Sequence, residues 1–274
     1  MRRRPGALLA VLVLVLAGVG NADAATRILA VGDFGVGGDR ERRTGEAMRR
    51  YEARYAATLL VTLGDNDYTR SPSAFRRNWR DAFGWLGDAG VRVAGTLGNH
   101  DYEVENGRYE LETLGMPAPY YTRRAGDVEV FLLDSNAIDD AQTAWLRRRL
   151  RASTARWKIA AFHHPPYSCG FHAGNAAVVA RWLPLFERFG VDLVLSGHEH
   201  SYQRFARRGI AYVVHGGGGA PLYPPLPCPR RYPERQFARL GYGFLVILAG
   251  EERLRVTALD LSGRRVERVV VGAG

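Results

Sequence analysis

The chain has 274 residues, of which 46% are apolar and 24% charged, and a formal net charge of +10. That apolar share is ample for a buried core and excludes a chain too polar to fold. The positive excess is almost all Arg, with Lys158 the single lysine, and is scattered over positions such as Arg147-Arg148-Arg149. No aromatic-interleaved basic stripe forms, which argues against nucleic-acid binding as the main role.

In chain order, Met1-Arg2-Arg3-Arg4 is a charged start, residues 7–19 are an apolar core, and Ala22-Asp23-Ala24 has the small-x-small form of a signal-peptidase site. The apolar core is shorter than the about 18 to 20 residues of a spanning helix. Residues 1–24 are therefore expected to be a cleaved signal peptide and residues 25–274 one exported domain, secreted or periplasmic, without membrane attachment. In that compartment Cys169 and Cys228 are expected to pair as a disulfide.

Residues 27–31 read as a strand ending in Gly32-Asp33-Phe34-Gly35, followed by a helix over about 39–57. The apolar run 58–63 reads as a buried strand ending in Gly64-Asp65-Asn66-Asp67-Tyr68. Ser71-Pro72 has the form of an N-cap with Pro in the first turn, opening a helix with Phe75 and Trp79 on one face. Residues 91–97 form a third strand ending in Gly98-Asn99-His100-Asp101. Strands of antiparallel character follow at 120–123 and 128–133, then a helix over 139–150. The second half repeats the plan: a strand at 157–162 ends in His163-His164-Pro165-Pro166. A helix over about 176–189 precedes a strand at 191–195, which leads into Gly197-His198-Glu199-His200. Residues 209–214 run into Gly216-Gly217-Gly218-Gly219, and 243–249, 253–259 and 264–271 read as closing strands. Such βα units with added antiparallel strands predict an α/β fold of two packed mixed sheets flanked by helices.

Five strand ends thus deliver oxygen and imidazole donors to what reads as one edge of one sheet, where open α/β sheets place their ligands. A single Gly-Asp is usually only a turn. The conjunction points to a two-metal hydrolytic site centred on Asp65. His198 and His200, two apart in an extended segment, share a face. Tyr102, Tyr167 and Tyr202 are expected to line the pocket, His215 to be structural, and Asp134 to lead a turn or helix.

The order of Asp33-Phe34-Gly35, Gly64-Asp65-Asn66-Asp67-Tyr68, Gly98-Asn99-His100-Asp101, His163 and Gly197-His198-Glu199-His200 resembles the calcineurin-like metallophosphoesterases. Within them it is most similar to the purple acid phosphatases, because of the phenol of Tyr68 three residues after Asp65. The resemblance spans about residues 27–250; one mild departure is Ala160, where Val is common. It implies a four-layer αββα sandwich in the small, single-domain form of the family. It also implies that Asp65 bridges two metals, with Asp33, Tyr68 and His200 completing one site and Asn99, His163 and His198 the other. His163 is chosen over His164 by the family's His-x-Pro pattern, although Pro166 stands two residues after His164. The anionic set suits a trivalent iron, and the neutral set a divalent iron, zinc or manganese. His100 and His172 are the implied transition-state groups. The expected activity is hydrolysis of small phosphate monoesters by attack of metal-bound hydroxide. The rival readings are a phosphodiesterase or nucleotide hydrolase on the same core, and a metal-holding binding domain without turnover.

Overall fold

The computed structural model describes residues 25–272, so the expected leader over residues 1–24 lies outside it. The elements run β1 (Thr26–Val31), α1 (Gly38–Glu52), β2 (Leu59–Leu63), α2 (Pro72–Phe83), α3 (Trp85–Asp88), β3 (Arg92–Thr96), α4 (Arg108–Leu114), β4 (Tyr121–Ala125) and β5 (Val128–Leu132). The second half follows as α5 (Asp140–Ala152), β6 (Trp157–Ala161), α6 (Ala176–Arg181), α7 (Leu183–Phe189), β7 (Leu193–Ser196), β8 (Tyr202–Arg207) and β9 (Ile210–His215). The chain closes with β10 (Arg235–Arg239), β11 (Gly243–Ala249), β12 (Arg253–Asp260) and β13 (Arg265–Gly272). Among the described residues no helix is long and apolar enough to cross a membrane.

Two mixed sheets form, a six-stranded one in the order β13-β12-β11-β1-β2-β3 and a seven-stranded one in the order β10-β8-β9-β7-β6-β5-β4. In the first, β1, β2 and β3 are parallel; in the second, β5, β6, β7 and β9 are parallel. Their near-continuous apolar runs follow from burial on both faces. Along β1, Ile28 and Ala30 point into the core between the sheets, while Leu29 and Val31 meet Met48 of α1 and Phe83 of α2. Along β6, Ile159 and Ala161 face inward, while Ala160 and Phe162 meet Trp182 and Phe186. The period-two alternation of a strand therefore feeds two hydrophobic layers at once.

The expected α/β sandwich is present, with local differences. The first helix stops at Glu52 rather than near Ala57, because the chain must reverse into β2. The Arg27 guanidinium takes the Tyr55 and Ala56 carbonyls exposed by that reversal, at 2.9 Å each. The helix expected over 176–189 breaks at Trp182, since Pro184 has no N–H and its ring disfavours a continuous helix there. Ser71 and Asp139 cap α2 and α5, each accepting a backbone N–H three residues on.

Candidate metal centre

Asp33, Asp65 and Asn99 follow β1, β2 and β3 of the first sheet, whereas His163, His198 and His200 follow β6 and β7 of the second. The expectation of one edge of one sheet is thus corrected. The donors meet across the gap between two sheets, because packing brings the carboxyl ends of both parallel sets to the same side. Hydrogen bonds lace the gap. The His198 backbone N–H donates to both Asp33 carboxylate oxygens (3.1 and 2.9 Å), and His163 Nδ1 lies 2.9 Å from the Leu63 carbonyl at the end of β2.

Two clusters result. Tyr68 Oη lies 2.9 Å from Asp65 Oδ2, 3.4 Å from Asp33 Oδ1 and 3.2 Å from His200 Nε2, and His200 Nε2 lies 3.2 Å from Asp33 Oδ1. On the other side, His163 Nε2 lies 3.1 Å from Asn99 Oδ1, 3.2 Å from His198 Nδ1 and 3.4 Å from Asp65 Oδ1. Donors about 2.0–2.2 Å from a common ion, at right angles, stand roughly 3 Å apart. Both clusters have that spacing, and Asp65 offers one oxygen to each.

The imidazoles are oriented from behind. His163 Nδ1 is 2.9 Å from the Leu63 carbonyl and His200 Nδ1 is 2.7 Å from the Pro221 carbonyl. A carbonyl only accepts, so Nδ1 carries the proton in both rings and the Nε2 lone pair faces the cluster. His164 is held elsewhere, with Nδ1 2.8 Å from Ser135 Oγ. Its ring still lies 4.4 Å from that of His198, and it can contribute to a His163, His164, His198 donor group.

Backbone strain coincides with the donors. Asp33 (φ 57°), Asp65 (φ 51°) and His198 (φ 70°) all lie in the left-handed region. That conformation costs about 1–3 kcal/mol at a non-glycine residue and persists where surrounding structure enforces it. At Gly98 a Cβ would fall inside the van der Waals shell of Asp65 Oδ1, so the turn after β3 admits no side chain.

The electrostatics are those of a site that opposes itself without cations. Burial, then the charge of Asp33, pushes the Asp65 carboxyl up to about 8. Burial likewise raises Asp33 and, with the neighbouring carboxylates Asp33 and Asp65, raises Tyr68 well above a normal phenol. Burial and the surrounding imidazoles hold His163 far below its ordinary value and His198 at about 2, so both are neutral. Burial works against His200, but its contact with Asp33 outweighs this and raises it. His163 and His198 are thus already in the neutral state that metal binding requires, whereas Asp33, Asp65, Tyr68 and His200 would give up the protons that their raised values favour when cations bind. The residues present fit two cations.

His100 and His172 flank the clusters. The His100 ring lies 4.5 Å from that of Tyr68, with Nδ1 2.9 Å from Glu103 Oε1, and its backbone N–H donates to Asp65 Oδ1 (3.0 Å). The His172 ring lies 4.2 Å from that of His198, and Nδ1 is 3.6 Å from Glu199 Oε2, beyond hydrogen-bond reach. Their side chains are 35% and 28% exposed.

The expectation that three tyrosines line the pocket needs correction, whereas Asp134 and His215 have the structural places expected of them. Tyr167 and Tyr202 are core residues, their hydroxyls bound to Arg207 (3.2 Å) and Glu267 (2.7 Å), and Tyr102 donates to Asp134. These phenols are occupied by structural partners and do not line the centre. Asp134 holds a turn, accepting the Asn136 N–H at 2.9 Å. His215 is buried, and burial depresses it to about 4.

Three contributors were not anticipated. Asp101 accepts from the backbone N–H of Asn66 (2.9 Å), Asp67 (3.0 Å) and Gly98 (2.7 Å), binding the loops after β2 and β3 together. Glu199, fully buried, accepts the backbone N–H of Phe171 (3.2 Å) and His172 (2.7 Å). Tyr223 stacks on the His200 ring at 4.5 Å and 11°. Asp101 and Glu199 were visible in their motifs, the first standing two residues after Asn99 and the second between His198 and His200; Tyr223 sits in a Pro-rich loop without pattern.

Cys169 and Cys228 form the expected disulfide, with Cα atoms 4.9 Å apart. It joins the His172 loop to the Tyr223 loop across 59 residues of sequence. Cys228→Ser is expected to lower unfolding free energy by about 2–4 kcal/mol. Urea denaturation of the two proteins checks this, and an unchanged midpoint would mean that the loops hold each other without the bridge.

Known proteins resemble this chain in sequence and in fold. The model of the calcineurin-like phosphoesterase family matches residues 26–202. The tartrate-resistant acid phosphatase type 5 of Rattus norvegicus is 25% identical over 308 residues, covering 93% of each chain. Purple acid phosphatase 7 of Arabidopsis thaliana is 23% identical, covering 90% of this chain and 86% of its own. Among solved structures, a purple acid phosphatase from yellow lupin seeds superposes with a TM-score of 0.75 at 16% identity, over 90% of this chain and 54% of that one. The anchor protein of the inner membrane complex of Plasmodium superposes with a TM-score of 0.82 at 16% identity, over 92% of this chain and 90% of that one. At such identity these superpositions speak for the fold alone.

Proposed function

We propose, from the premise that this chain belongs to the calcineurin-like phosphoesterase family, that it is an exported two-metal hydrolase of phosphate monoesters, of the purple acid phosphatase kind. The observation that carries this reading is Asp65, whose Oδ2 faces Tyr68 and whose Oδ1 faces His163. Asp33, Tyr68 and His200 with Asp65 Oδ2 would hold a trivalent iron, for which anionic oxygen donors are suited. Asn99, His163 and His198 with Asp65 Oδ1 would hold a divalent iron, zinc or manganese. Such a pair of ions, when bound, supplies Lewis acidity at phosphorus and acidifies a water for in-line attack.

The chain's own groups do the rest. Asp101 and the Leu63 and Pro221 carbonyls hold the donors in place. His100 and His172, part-exposed on opposite flanks, are placed to hydrogen-bond phosphoryl oxygens and to protonate the departing alkoxide. No side chain need form a covalent phosphoenzyme.

Initial rates on an aryl phosphate monoester and the matching diester, from acid to neutral pH, test the proposal. A strong monoester preference is expected. A diester preference would transfer the function to a phosphodiesterase on the same centre. No turnover of either, in protein shown to hold two metals, would make it a binding domain.

A further inference from the structure

The sequence scatters its arginines, but the fold gathers four of them around one cavity. Arg50, near the end of α1, and Arg54 just beyond it line a space of about 400 Å³ together with Arg265 and Arg268 of β13. Small-molecule sites occupy about 300–1,000 Å³, so the space is large enough for a ligand. The cavity shares no residue with the metal centre. Arg50 stands twelve residues along α1 from Gly38, about 18 Å at a rise of about 1.5 Å per residue.

The walls are held from behind. Arg50 Nη2 donates to the Leu261 carbonyl at 2.9 Å, which ties α1 to the turn between β12 and β13. In that turn the Asp260 carboxylate accepts the backbone N–H of Ser262 (2.9 Å) and of Arg264 (3.0 Å). Tyr51 and Tyr55 also line the cavity, their ring centroids 5.0 Å apart. The Arg27 guanidinium pins the chain beyond them through the Tyr55 and Ala56 carbonyls.

What the cavity lacks is a counter-charge. No carboxylate lines it. Among the described residues Arg54, Arg265 and Arg268 make no ion pair, and Arg50 has only Glu46, at 4.0 Å. The carboxylates of the hairpin are engaged elsewhere. Asp260 meets Arg264 at 3.1 Å, and Glu267 meets Arg204 and Tyr202 at 2.7 Å each. Four like charges around one space repel one another, and an anion placed among them removes that repulsion.

We propose that this cavity binds a compact anion carrying two linked phosphate groups, at a site separate from the metal centre. A guanidinium meets a phosphate through two parallel N–H···O bonds. Two such forks match one phosphate dianion, so four call for two phosphates, and the single cavity calls for their being joined. A lone carboxylate or monophosphate would leave guanidinium groups unmatched. The inference stands apart from the phosphatase reading, since no residue of the centre takes part in it.

Calorimetric titration of the metal-loaded full chain with methylenediphosphonate, whose P–C–P link resists hydrolysis, tests the site. The probe can also enter the metal centre, so the difference in stoichiometry between proteins decides. The wild type is expected to bind one equivalent more than the Arg265→Ala/Arg268→Ala variant, with metal content and turnover of an aryl phosphate the same in both. Arg54→Glu, on the α1 side, is expected to weaken that equivalent by at least about ten-fold, the loss of one charge-assisted contact. Methylphosphonate should fill the cavity at least about ten-fold more weakly for the same reason. All four arginines are exposed, so these variants remove no core packing, and circular dichroism verifies the fold. Titration with α,β-methylene-ADP separates two sources of the ligand: tighter binding than methylenediphosphonate assigns the site to the diphosphate end of a larger ester, and equal or weaker binding to free diphosphate. Equal stoichiometry in the wild type and the double variant overturns the inference, as does equal affinity of the cavity for the one- and two-phosphonate probes. Turnover in the same samples reports on the metal centre independently.

Discussion

Asp65→Asn is expected to empty both metal positions and to lower kcat/KM by at least about a thousandfold. Losing a group that only orients a ligand already costs about 10–100-fold, and Asp65 faces both clusters itself. Asn retains one oxygen, but its amide nitrogen has no lone pair to offer a cation, so one cluster loses a donor outright. The change also removes a negative charge from the centre. The fold should survive: burial and Asp33 already push the Asp65 carboxyl up to about 8, so a neutral amide suits the metal-free protein. Elemental analysis by plasma mass spectrometry, with circular dichroism as the fold check, reads the outcome. Retention of two equivalents of metal would remove Asp65 from the bridging role.

His100→Ala and His172→Ala are each expected to slow turnover by about 10²–10⁴-fold with metal content unchanged, the range for a positioned acid or base. Both rings stand beside the donor clusters rather than inside them. His100 lies against Tyr68 and His172 against His198, and both side chains are partly open to solvent. The two effects should not be additive if the residues act on one transition state. Parallel assays of rate and metal content separate the possibilities. A fall in metal content matching the fall in rate would make these residues ligands.

The sandwich and its donors were largely legible because both depend on local signals. Runs such as 58–63 must be buried on both faces, and the Gly-Asp, Gly-Asn-His and Gly-His-Glu-His turns follow directly on such runs. The β8 and β10 strands were not read, since Gln203, Arg204, Arg235 and Arg239 interrupt any apolar pattern there. Their partners supply what the sequence pattern lacks: Arg204, for example, pairs with Glu267 at 2.7 Å, 63 residues away.

By itself the sequence determined which residue types stand at strand ends and two packed mixed sheets flanked by helices, set by periodicity, and the family resemblance with the four-layer sandwich it implies, set by short motifs. Only the tertiary structure decided that the donors come from two sheets rather than one. It also decided that Tyr167 and Tyr202 belong to the core while Tyr223 reaches the centre, and that Glu199 and the disulfide hold the His172 loop at its edge. These are contacts between residues far apart in the chain, made by the packing of two sheets and the closure of two loops. No local pattern encodes them, because the free energy that selects them exists only once the sheets have met.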